Sequence, residues 1–101
     1  MILLEKDIER KLVEMVKRCG GMCLKWVCPG WSGVPDRIVL LPGARVIFAE
    51  LKRPGGQPTR IQKWWANKLR SLGFMHIYIK TAADVDLLER FIHEEGTPCL
   101  K

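Results

Sequence analysis

The chain has 101 residues, 48% of them hydrophobic, and a formal net charge of +6. That length holds one domain, 1–101, with a real but thin core and no room for a second. It contains no run of about 18 uncharged apolar residues, which excludes a membrane-spanning helix. Met1 to Arg10 carries charges of both signs where a secretory signal would be apolar, so a cytoplasmic protein is expected.

Residues 5–18 are predicted as a helix, with Ile8, Leu12, Met15 and Cys19 at helical spacing and Gly20-Gly21 ending it. A strand follows over 22–27, then a turn-rich loop from Cys28 to Pro35 with two prolines and two glycines. Residues 36–41 and 45–52 read as two strands around Pro42-Gly43-Ala44. Both are apolar on both faces, a pattern of strands covered on both sides. After a Gly/Pro loop, Thr59 caps a helix reaching Leu72, and Gly73 closes it. A strand over 74–80 and a helix from Thr81 to before Gly96 complete the order α-β-β-β-α-β-α. The expected fold class is α/β, a mixed sheet flanked by helices.

Cys19, Cys23, Cys28 and Cys99 lack the short repeated spacings of a zinc site and are expected to be free, mostly buried thiols. His76 and His93 stand in apolar-rich segments far apart, and structural roles are expected of them. Charge is unevenly spread. Residues 51–70 carry Lys52, Arg53, Arg60, Lys63, Lys68 and Arg70 with no acid, whereas from Thr81 to the end Asp84, Asp86, Glu89, Glu94 and Glu95 stand against Arg90 and Lys101. This pattern suits one face turned to a polyanion, and it equally suits solvated helices.

Most acidic residues fall on predicted helices, where solvent explains them. Asp36 and Glu50 fall on strands. Each stands seven residues from Gly43, so a hairpin centred there opposes them, with Cβ atoms roughly 4.5–5.5 Å apart. Opposed carboxylates destabilise a sheet unless a cation lies between them, and hard oxygen ligands favour a divalent metal. A turn one residue shorter would shift this pairing. Lys52, two residues after Glu50, shares its face. The set suits phosphodiester hydrolysis, in which a metal activates water and a lysine meets charge on the phosphate. Residue types alone fit a surface salt bridge of Lys52 as well.

The runs Gly33-Val34-Pro35-Asp36-Arg37-Ile38 and Phe48-Ala49-Glu50-Leu51-Lys52 resemble the PD-(D/E)xK nuclease signature. With Lys25-Trp26-Val27-Cys28-Pro29-Gly30 upstream, the chain resembles the virus-type replication-repair nuclease (VRR-NUC) family from about Ile8 through the last helix. The resemblance implies a restriction-endonuclease-like core and a nuclease using Mg²⁺ or Mn²⁺, without an organic cofactor. It implies Asp36, Glu50 and the Leu51 carbonyl as metal ligands and Lys52 as the catalytic lysine. A helix-1 glutamate joins them; Glu9, eleven residues before Gly20, matches best, with Glu5 as the alternative. Gln62 matches the glutamine after the Gly-rich loop, although Thr59 and Gln62 also form a capping-box pattern. Gln57-Pro58 departs from the expected Ser/Thr-Pro.

Further expectations follow from the resemblance. Arg60, Lys63 and Lys68 become candidate phosphate contacts. Arg37 points away from the site by strand alternation, toward a packing or salt-bridge role. Trp64 and Trp65 are adjacent and cannot both face the core, so one is partly exposed; it and Trp31 suit base stacking or a subunit interface. An interface or core role is the favoured one, because stacking needs unpaired bases. A homodimer acting on branched DNA such as a Holliday junction is implied, alongside activity on linear or flap DNA and a non-catalytic DNA-binding subunit as alternatives.

Overall fold

A computed structural model describes residues 5–95; Cys99 lies outside them. The elements are α1 (Glu5–Arg18), β1 (Met22–Lys25), β2 (Arg37–Leu41), β3 (Arg45–Leu51), α2 (Arg60–Ser71), β4 (Met75–Ile79) and α3 (Ala82–Glu95). Their order is the expected one. They build one sheet in the order β1-β2-β3-β4, antiparallel except for the β3–β4 pair.

Strand alternation divides the side chains between two faces. On one face Val39, Leu41, Ile47, Ala49, Leu51 and Ile79 meet Ile8, Leu12, Met15 and Val16 of α1 and Val85, Leu88 and Ile92 of α3. Several of these are wholly buried, and each full burial of a large aliphatic contributes about 1.5–3 kcal/mol. On the other face α2 buries Ala66 and Leu69. An aromatic row continues that layer, from Phe74 to Phe48 (5.3 Å between ring centroids), to Trp26 (5.3 Å) and on to Trp65 (5.8 Å). β3 is thus largely covered on both sides, as expected. β2 is not: α2 packs toward β4, leaving Leu40 exposed beside Met22 and Leu24 of β1.

The hairpin register is the predicted one. Ile38 faces Phe48 and Leu41 faces Arg45, with Gly43 and Ala44 turning at φ 82° and 61°. The ladders are shorter than expected at their ends: β1 stops at Lys25 and β2 opens at Arg37. The chain at Trp26 still donates its N–H to the Asp36 carbonyl before leaving the sheet. α2 ends in a Schellman motif, in which Gly73 donates to the Arg70 carbonyl and Phe74 to that of Leu69. Gly73, at φ 95°, adopts a backbone that side chains resist. Thr81 and Asp84 cap α3 reciprocally through side chain and backbone.

Candidate active site

Where β3 ends, a cleft of about 390 Å³ opens between the sheet and the start of α2, lined by Glu5, Asp36, Glu50, Leu51, Lys52, Arg53, Gly56, Gln57 and Gln62. Asp36 sits just before the first paired residue of β2. Its backbone carbonyl takes the Trp26 N–H, and its Oδ2 accepts the Leu51 N–H at 2.8 Å. The aspartate therefore extends the hairpin by one side-chain bond and turns its carboxylate toward Glu50. Lys52 leaves the sheet after its N–H reaches the Ile79 carbonyl.

Glu50 lies in the paired part of β3, opposite Tyr78, and is 3% exposed. Burial first, and then the charge of Asp36, with which it shares a hydrogen bond, push its carboxyl up to about 7. Lys52 pulls the other way, and Glu5 adds to the repulsion. A carboxylate in such a place holds its negative charge at a cost that a nearby cation removes. The donors are also of the right kind. Three carboxylates, Glu5, Asp36 and Glu50, line one cleft, and oxygen donors of this kind suit hard cations such as Mg²⁺ or Mn²⁺. The residues present fit a divalent metal.

Gln62 holds two positions at once. Its Oε1 accepts the Thr59 N–H at 2.9 Å while the Thr59 hydroxyl caps the Gln62 N–H, completing the capping box. Its Nε2 donates to Glu50 Oε2 at 2.9 Å. The cap and the active-centre readings of this residue are thus the same geometry, because the amide has an end for each.

No family model matches the chain. It is 42% identical over 78 residues to "Putative nuclease p44" of Acyrthosiphon pisum secondary endosymbiont phage 1, an alignment covering 77% of this chain and 84% of that protein. A solved structure described as a VRR_NUC domain matches it with a TM-score of 0.81 at 26% identity, over 85% of this chain and 94% of the other. The chain belongs to the VRR-NUC family. Its three helices and four-strand mixed sheet are the restriction-endonuclease-like fold of those nucleases.

Within this VRR-NUC domain, Asp36, Glu50, Leu51, Lys52 and Gln62 come together as expected from the signature. Glu9 does not join them. Its Oε2 lies 2.8 Å from Arg37 Nε, and Arg37 also donates to the Cys23 carbonyl, tying α1 to β1 and β2. Arg37 thereby takes the salt-bridge role that alternation predicted. The carboxylate that α1 brings to the cleft is Glu5, one helical turn earlier. The spacing of the two glutamates could not separate them, because the choice depends on where α1 crosses the end of the sheet.

Arg60, Lys63 and Lys68 are exposed on the outer side of α2, and Arg53 and Gln57 are cleft residues that the sequence did not single out. His76 is buried beneath α2. Burial and the nearby Arg70 hold its imidazole down at about 4, neutral at ordinary pH. A second cluster, Cys19, Glu89 and His93, has ligand atoms within 4.8 Å of one another. It stands at the far end of α1 from Glu5, and the Arg18 guanidinium sits 3.3 Å from Glu89, an unfavourable neighbour for a cation. Among the described residues no helix is long and apolar enough to cross a membrane.

Proposed function

We propose that this VRR-NUC protein is an endonuclease of the PD-(D/E)xK type that hydrolyses DNA phosphodiester bonds with Mg²⁺ or Mn²⁺, preferring branched DNA such as a Holliday junction. The observation that carries this reading is the buried Glu50, set between Asp36 and Gln62 beside Lys52 and Glu5 in one cleft. A purely structural ion pair has no need of three carboxylates lining the same cleft as one lysine.

In this reading Asp36, Glu50 and the Leu51 carbonyl hold the metal, and Glu5 supplies the third carboxylate in place of Glu9. A cation held by these residues would supply Lewis-acid polarisation of a phosphoryl oxygen and a lower pKa for the attacking water. Gln62 fixes the Glu50 carboxylate through its 2.9 Å bond. Lys52 and Arg53, both at the cleft, face the charge that builds on the phosphate. Water adds its oxygen to phosphorus, and its proton ends on the departing oxygen. Arg60, Lys63 and Lys68 hold flanking phosphates and carry no sequence reading.

The protein acts as a homodimer in the cytoplasm of a bacterial or phage-infected cell. A two-fold pair presents two cutting centres, which symmetric resolution of a junction requires. The exposed apolar face of Met22, Leu24 and Leu40 supports such a partner surface.

The test is cleavage of a labelled four-way junction beside linear duplex of the same sequence, with Mg²⁺, Mn²⁺ or EDTA, for the unaltered protein and Lys52→Ala. Paired, metal-dependent cuts on the junction, lost in the variant, are expected. Equal cutting of linear DNA would retain the chemistry and discard the junction preference. No cutting in any metal would leave a DNA-binding subunit.

A further inference from the structure

Next to the cleft, across the first turn of α2, lies a second concavity that the hydrolytic chemistry leaves unused. It encloses about 520 Å³ and is lined by Trp31, Thr59, Arg60, Ile61 and Trp64. Trp31 is 60% exposed and Trp64 46%, although tryptophan is normally among the most covered side chains. Both rings are nonetheless held. Each meets the ring of Trp65 edge-on, Trp31 at 5.7 Å and 80°, Trp64 at 5.2 Å and 89°. Trp65 in turn donates its Nε1–H to the Ser32 carbonyl at 2.9 Å, fastening the Trp31 loop to α2. Beside it, a Cβ on Gly33 would stand 2.6 Å from Ile61 Cγ2, so loop and helix touch there without room for any other residue. Two exposed indoles in fixed positions give up little freedom on binding, which favours a ligand with a flat apolar face.

The charge around the groove selects among such ligands. Arg60 lines it, Lys63 lies one turn away, and α2 has no acidic residue. A polyanion carrying flat rings satisfies both the tryptophans and the cations. The groove and the cleft both draw on the first turn of α2, through Thr59 in one and Gln62 in the other. Thr59 is joined through Gln62 to Glu50 by two hydrogen bonds.

We propose that Trp31 and Trp64 form a stacking ledge for an unpaired DNA base next to the bond being cut, with Arg60 and Lys63 on the adjoining phosphates. This rests on the nuclease reading and narrows its substrate to DNA in which a base beside the scissile phosphate is free to leave the stack. Fully paired duplex cannot fill the ledge, because its bases present edges and not faces. Stacking on aromatic side chains tolerates any base, so the ledge selects structure and ignores sequence.

The experiment uses a duplex and a flapped duplex of the same sequence, with 2-aminopurine at the unpaired position. Binding is followed in EDTA by anisotropy and by 2-aminopurine fluorescence, and cutting in Mn²⁺. The unaltered protein is expected to quench the fluorophore and to bind the flapped DNA at least about tenfold tighter. Trp31→Ala and Trp64→Ala should each lose most of that preference, about tenfold, while paired duplex binding changes by less than about twofold. Trp31→Phe and Trp64→Phe retain a ring and should recover most of it, which separates stacking from misfolding. An unchanged preference in the doubly substituted Trp31→Ala, Trp64→Ala protein would overturn the proposal. So would conversion of a dimer to monomers by either alanine, seen by sedimentation, because a second copy would then cover the groove. Cutting without any preference for the unpaired base defeats the ledge and leaves the nuclease standing; selective binding without cutting in Mn²⁺ does the reverse.

Discussion

Glu50 carries opposite demands. Burial and Asp36 lift its carboxyl to about 7, so between about pH 4.5 and 7 the native state holds a proton that the unfolded chain has released. Stability of the metal-free protein therefore falls as pH rises through that window. Glu50→Gln keeps the shape, can still bond Gln62 and Asp36, and removes the charge. It is expected to abolish cleavage, by at least about 10²–10³-fold. At pH 8 without metal it should raise Tm by about 4–8 °C, the effect of about 1 kcal/mol in a domain of this size. Thermal melts of both proteins across pH 4–8 with EDTA check it, and a Tm at pH 8 unchanged or lowered by the substitution would contradict it. The two helix-1 glutamates give a second prediction. Glu5→Gln should lower the cleavage rate about tenfold or more and raise the metal concentration required, with little change in Tm. Glu9→Gln should lower Tm, because it leaves the half-buried Arg37 short of its partner, while leaving the metal requirement unchanged.

At the level of elements, the first turn of α2 is shared by a cap, a carboxylate and a groove wall. Thr59→Ala removes one capping bond and should cost about 1 kcal/mol of stability. Gln62→Leu removes both the reciprocal cap and the Nε2 bond to Glu50. If Gln62 served only as a cap, the two variants would lower stability alike and leave the rate alone. The expected outcome is a split: similar losses in Tm, with kcat lowered about tenfold or more only in Gln62→Leu. The hairpin shows why such sharing was partly legible. A turn centred on Gly43 opposes Asp36 and Glu50 by spacing, but strands apolar on both faces do not by themselves forbid a one-residue slip. The observed pairing of Ile38 with Phe48 decides it. The capping pattern of Thr59 and Gln62 was equally plain. That the amide's other end meets Glu50 depends on how α2 docks on the sheet.

Across the whole molecule two exposed surfaces stand out, a cationic side of α2 that also carries Trp64 and Ile61, and an apolar patch on β1 and β2. Arg60, Lys63 and Lys68 stand on one outer surface of α2, and three such phosphate contacts imply a slope of log affinity against log salt that shrinks by about 2.7 when all three become alanine. Titrations from low to physiological salt measure it; a slope that does not change would remove these residues from the DNA surface. Met22, Leu24 and Leu40 form the other patch, where no helix among the described residues covers the sheet. Leu24→Asp buries a charge in any partner surface built there, so sedimentation should show monomers and paired junction cuts should become single nicks. A dimer that persists in the variant would locate the interface elsewhere.

Element order and the spacing that can bring Asp36, Glu50 and Lys52 to one end of a hairpin were legible in the sequence alone, because they follow from apolar periodicity, turn glycines and strand alternation. The hairpin register was one of two the turn allowed until tertiary structure set Ile38 opposite Phe48. The open β1–β2 face, the position of Glu5 and not Glu9 at the cleft, and the grouping of Trp31 with Trp64 were decided only by tertiary structure. Each depends on where a helix crosses the sheet, and that is set by side-chain packing between segments far apart in the chain. Glu5 and Glu9 differ by one turn, about 6 Å along the helix axis. That distance separates a residue at the end of the sheet from one pinned to Arg37 over its side, and no spacing in the sequence measures it.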